Sequence, residues 1–180
     1  HSNIYFTRGF LDFLKKTWPD RPVDANHDVL GQVMAHEVAH VIRRHTVRSQ
    51  MFKKASMDAE QPISRNVLTH VTRIHEIEAD REGMVLAFLA GYHPRGGIEM
   101  MEKRGMEREI PVHLTHPTYD ERIHYLEEFW SNEVKYAWLS FGFGNKKLKE
   151  AREIEAGKKG DLQAHYKAAL DHFKRFESTL

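Results

Sequence analysis

The chain has 180 residues, a formal net charge of +1, 41% hydrophobic and 29% charged residues, and no cysteine. That is the composition of an ordinary globular domain, long enough for one real core and a small appendage. The near-zero charge without a long basic block argues against a nucleic-acid partner. The missing cysteines exclude disulfides and thiolate metal sites, and no apolar run approaches the ~20 residues of a membrane span. Thirteen histidines are an unusual number, so a histidine motif carries little weight by itself.

The expected fold is mainly α, of α+β type. Residues 3–9 (NIYFTRG) are rich in β-branched and aromatic residues and end at a glycine, which predicts a short strand. A brief helix is expected over Phe10 to Lys16, then a loop marked by Pro19, Asp20, Pro22, Asp24 and Asn26. Asp28 is placed to cap a helix running to about His45, with apolar residues on more than one stripe, hence largely buried. Polar residues 49–61 are expected to loop out. Ser64 caps a long helix from Arg65 to about Ala90, stopped by Gly91. A shorter helix is expected over Gly97 to Arg104, then a connector over 105–116, then a helix with Pro117 in its first turn, running to about Phe129. Beyond Ser131, Gly142 and Gly144 interrupt an apolar segment. Two amphipathic helices follow, Lys146 to Ala156 and Asp161 to Phe176, as a hairpin. The division expected is 1–130 for the main domain and 131–180 for a C-terminal helical extension.

His36 and His40 are four residues apart within His36-Glu37-Val38-Ala39-His40. On a helix they project from one face, one turn apart, and can share one Zn2+. Glu37 is rotated about 100° around the helix axis, which suits it to take a proton from an attacking water rather than to ligate. A catalytic zinc also needs a third protein ligand. The best candidate is Glu76, which shares one face of the long helix with Ala79, Asp80 and Gly83. The two small residues would let this helix approach the first closely. Asp80 is placed to orient a ligating imidazole. The competing reading makes Glu76, Glu78, Asp80 and Glu82 a solvated acidic face. A third element is His116-Pro117 with Arg122; either His116 or Arg122 could reach the cleft and stabilise an oxyanion. His45 lies off the ligand face and is expected to make a structural hydrogen bond. His70, His75, His93, His113, His165 and His172 are expected at the surface or as caps.

The order H-E-x-x-H, E-x-x-A-D, then H-P with an arginine six residues after its histidine resembles the zinc peptidase family of HtpX, the CAAX prenyl protease and BepA. The resemblance covers about residues 3–128, and Tyr5-Phe6-Thr7-Arg8-Gly9 is part of it. It implies a gluzincin fold and a metalloendopeptidase acting on protein or peptide substrates, membrane-associated ones included, with a role in protein quality control. It implies one Zn2+ on His36, His40 and Glu76. Glu37 would be general base and then acid, Asp80 a support behind the ligands, and His116 and Arg122 residues facing the cleft. The histidine matching His116 covers the metal in some relatives and keeps them latent. An edge strand formed by Ile4, Tyr5, Phe6 and Thr7 would bind extended substrate. The implied location is periplasmic or otherwise extracytoplasmic. Relatives carry membrane spans or a longer N-terminal part, so this chain reads as a fragment or processed form. The tail weakly resembles tetratricopeptide helices.

Two other readings stand beside this one. In a di-iron carboxylate bundle, Glu37-x-x-His40 and Glu121-x-x-His124 would face each other with Glu76 bridging. It leaves His36, Asp80 and His116 without a task. In a latent chaperone or binding module, the zinc site would persist without useful proteolysis.

Overall fold

The computed structural model describes residues 3–21, 27–58, 64–106 and 116–179. The chain forms two compact units, 1–127 and 128–180. The described residues are mainly helical and include no strand.

The predicted N-terminal strand is not formed. Residues 3–7 have no regular structure, and helix α1 spans Arg8–Thr17. Thr7 is extended and its hydroxyl accepts from the Phe10 amide, which starts a helix at the point where a strand was expected. β-propensity cannot hold a strand with no neighbouring strand to pair with, and none is present among the described residues. Phe13, Leu14 and Trp18 of this segment pack on Val29 as one core cluster.

Helix α2 spans Asp28–Ile42. Its cap is His27, whose Nδ1 accepts from the Leu30 amide at 3.4 Å. Asp28, the predicted cap, sits in the first turn, where its Oδ1 accepts from the His93 amide at 2.7 Å. Arg44 then takes φ 53°, a left-handed conformation uncommon in a non-glycine residue, and the chain turns into α3, His45–Asp58. This helix replaces most of the predicted loop at 49–61; residues 59–63 lie outside the described residues. Its apolar residues form no clear stripe, so periodicity did not reveal it. His45 and Ser56 are its buried positions.

Helix α4, Arg65–Leu89, has the predicted Ser64 cap. It ends at Gly91, φ 90°, where the Tyr92 amide bonds the Ala87 carbonyl and the Gly91 amide that of Phe88. Helix α5 spans Gly96–Met106. The predicted connector 105–116 falls mainly outside the described residues. Helix α6 is Tyr119–Phe129, so Pro117 precedes it instead of lying in its first turn. Thr118 and Glu121 cap its start reciprocally: the Thr118 amide donates to Glu121 Oε2 at 2.7 Å, and the Glu121 amide to Thr118 Oγ1 at 3.2 Å.

What positions the site is the close crossing of α2 and α4. Ala39 and Ala79 are fully buried. A Cβ on Gly83 would lie 2.9 Å from both the backbone N and the Cα of His36. Helix backbone cannot move aside as a side-chain tip can. Gly83→Ala is therefore expected to lower stability by about 1–3 kcal/mol, exceeding the ~1 kcal/mol helix-propensity gain of alanine. Urea unfolding measures it, and a variant as stable as the parent would refute this account of the crossing.

In the second unit a π-helical turn, Trp130–Val134, leads into α7, Lys135–Glu155, which pairs with α8, Leu162–Thr179. Gly142 and Gly144 do not interrupt α7. A Cβ at Gly144 would meet the Phe173 ring at 2.6 Å, so this glycine admits an aromatic of α8. Phe141 packs near Phe173 and Phe176, with centroids at 6.1 and 5.3 Å. No helix among the described residues is long and apolar enough to cross a membrane.

Candidate active site

Helix α2 directs His36 and His40 toward α4, one turn apart. Their Nε2 atoms are 3.0 Å from each other. His36 Nε2 lies 3.7 Å from Glu76 Oε2, and His40 Nε2 lies 3.5 Å from Glu76 Oε1. These separations fit the donor set to a metal. A tetrahedral Zn2+ with bonds of about 2.0–2.1 Å spaces its ligand atoms by about 3.3 Å. Glu76 is buried and the two rings are mostly so, and a buried carboxylate against two imidazoles is itself costly without a shared cation. Burial, reinforced by neighbouring His36 and His45, pushes the His40 pKa down to about 4. The ring is therefore neutral at pH 7, as ligation requires.

Asp80, one turn past Glu76, lies behind His36. Its Oδ1 is 2.9 Å from His36 Nδ1, a buried nitrogen with no other partner among the described residues. Burial alone would raise the Asp80 pKa. His36 and the Arg122 guanidinium override that and hold it well below the ordinary carboxylate range. Arg122 Nε and Nη2 donate to the two Asp80 oxygens at 2.7 and 2.5 Å, and the Tyr125 hydroxyl also donates to Oδ2. Arg122, expected to reach the cleft, thus has two of its nitrogens turned to Asp80. Tyr125 was not singled out from the sequence, although it lies on the Arg122 face of α6, three residues on.

His116 Nε2 lies 3.6 Å from Glu76 Oε1 with its side chain half-exposed. It does not join His36, His40 and Glu76, whose ligand atoms all lie within 4.8 Å of one another. The His116 carbonyl accepts from Arg73 Nη1 at 3.1 Å, and Arg73 Nη2 reaches Glu121 at 2.7 Å. Glu121, which a di-iron bundle would need at the metal, is thereby committed to Arg73 and to its helix cap. Nor does it belong to either histidine–carboxylate cluster among the described residues. The acidic residues of α4 are not one solvated face. Glu76 and Asp80 point inward, Glu78 bonds His45 and Arg48, and Glu82 pairs with Arg43.

Glu37 is exposed and opens onto a groove of about 950 Å3, shared with His40, Val33, Val41, Arg44 and Val47. Ile4, Tyr5, Phe6 and Thr7 line the same groove. The segment expected to be a substrate-binding strand therefore lines the groove as irregular chain.

Comparison with known proteins agrees with the resemblance carried by the motifs. Residues 1–59, which hold His36-Glu37-Val38-Ala39-His40, match peptidase family M48. The chain is similar to the mitochondrial metalloendopeptidase OMA1 of Schizosaccharomyces pombe, at 28% identity over an alignment of 134 residues that covers 63% of this chain. It spans 40% of that relative's length. No solved structure matches.

Proposed function

We propose, with the match to peptidase family M48 as premise, that this chain is a zinc-dependent metalloendopeptidase hydrolysing peptide bonds of protein substrates in protein quality control. One observation carries the reading: two imidazole nitrogens and a buried carboxylate converge beside an exposed glutamate that faces a groove.

His36, His40 and Glu76 would hold the ion, which when bound supplies Lewis acidity to a water and to the substrate carbonyl. The chain's own residues do the rest. The groove beside Ile4 to Thr7 receives an extended peptide. Glu37 accepts the proton of the attacking water and delivers it to the leaving amine. His116, near Glu76 and half-exposed, donates to the developing oxyanion. Asp80, held by Arg122 and Tyr125, fixes the tautomer and orientation of His36.

Metal removal tests the proposal. Purified protein is expected to contain one zinc per chain and no iron. Dialysis against a strong chelator should abolish hydrolysis of a quenched peptide, and one equivalent of Zn2+ should restore it. Two irons per chain, or full activity in metal-free protein, would refute it.

A further inference from the structure

Beyond the site lies a second cluster, His45, His75 and Glu78, on α3 and α4. His45 and His75 are buried, at 3% and 4% exposure. Resting on the zinc reading above, we propose that His45, held by Glu78, is a positioning residue for the metal ligand His40.

The ring protons of His40 and His45 have one consistent placement. His40 Nε2 faces His36 and Glu76, while its Nδ1 lies 2.8 Å from His45 Nδ1. A neutral imidazole that ligates through Nε2 carries its proton on Nδ1. His40 Nδ1 therefore donates and His45 Nδ1 accepts. That places the His45 proton on Nε2, which lies 3.0 Å from Glu78 Oε2 and donates to it. Arg48 Nη1 donates to the same oxygen at 3.0 Å. Every proton in the chain His40–His45–Glu78 has one place. The His45 ring is also clamped face to face on His75, with centroids 4.3 Å apart and planes at 5°, and His75 Nδ1 is 3.3 Å from Ser49 Oγ. The two ligating histidines are thus served alike. His36 rests on a carboxylate held by Arg122, and His40 reaches a carboxylate held by Arg48 through one intervening ring.

A second metal ion is the other occupant to weigh for this cluster. The stacking opposes it. Imidazole lone pairs lie in the ring plane, and two parallel stacked planes share no point at which one ion meets both. Both His45 nitrogens are, moreover, already used.

The test measures zinc affinity of the full chain by competition with a chromophoric chelator, beside urea unfolding of the zinc-free protein. Parent protein is expected to bind one zinc. His45→Phe keeps a ring against His75 but offers no acceptor, and should bind zinc about 10–100-fold more weakly. His45→Asn presents an oxygen near the Nδ1 position and should recover most of that loss. Glu78→Gln changes a partly exposed side chain and should weaken binding by about tenfold with unfolding unchanged, so it carries the test should His45→Phe fail to fold. Parent-like affinity in both His45→Phe and Glu78→Gln would overturn the proposal. So would His45→Asn binding as weakly as His45→Phe, or a second zinc in the parent that His45→Phe removes. A parent that binds no zinc would instead bring down the metallopeptidase reading on which the inference rests.

Discussion

Glu37→Gln is expected to lower peptide hydrolysis by about 10²–10⁴-fold while leaving zinc content unchanged. The side chain is exposed in the groove and is not a member of the His36–His40–Glu76 cluster. The amide is nearly isosteric but cannot accept the water's proton, so the substitution removes the proposed base and spares the proposed ligands. The effect should fall on kcat, because proton transfer belongs to the transition state rather than to binding. Hydrolysis kinetics on a quenched peptide, with zinc quantified on the same samples, decide the matter. Parent-like kcat would eliminate Glu37 as the base. Loss of zinc along with activity would show that Glu37 holds the metal instead.

The second large effect is expected at Asp80. Asp80→Asn leaves the Arg122 guanidinium buried without its counter-charge and weakens the support of His36. Breaking a buried pair by removing one partner costs about 3–5 kcal/mol, which for a unit of this size lowers the melting temperature by on the order of 10 °C. Zinc affinity should fall by about 10–100-fold as His36 loses its anchor. Replacing both partners by apolar residues, Asp80→Leu with Arg122→Met, should return much of the stability, since no charge is left buried, but none of the zinc affinity. Thermal unfolding and chelator competition separate the two quantities. Stability and affinity restored together would mean that the network only supports the fold. The sign of the pH dependence follows from the depressed Asp80 pKa. Its contribution is fully present above the unfolded value of about 3.9 and is lost as pH falls toward the folded one. Acid should therefore destabilise the parent more than the double variant.

Much of the site was legible because its elements are local. The spacing of His36 and His40 needs only a helix. Ser64 and Gly91 mark the ends of α4 by backbone hydrogen bonding and a positive φ, both properties of single residues. Glu76, Asp80 and Gly83 fall on one face by helical periodicity, and the small residue at Gly83 announced a close neighbour. The errors fell where local preference met no tertiary partner or an unseen one. The aromatic and β-branched residues among 3–7 found no strand to pair with among the described residues, and Thr7 capped a helix. Residues 45–58 have no clear apolar stripe, yet fold as α3. Gly142 and Gly144, helix-weakening by propensity, lie inside α7, where Phe173 packs on Gly144.

The sequence by itself determined that two histidines and a glutamate share one helix, and that a glutamate and an aspartate share one face of another. Both follow from 3.6 residues per turn. Only the tertiary structure decided which partners those groups meet. It set Arg122 and Tyr125 on Asp80. It brought His45 and Glu78 behind His40, and it left Glu37 facing the groove beside an irregular N-terminal segment. Contacts between residues 30 to 45 positions apart depend on how closely α2, α3, α4 and α6 pack, and no local pattern encodes that distance.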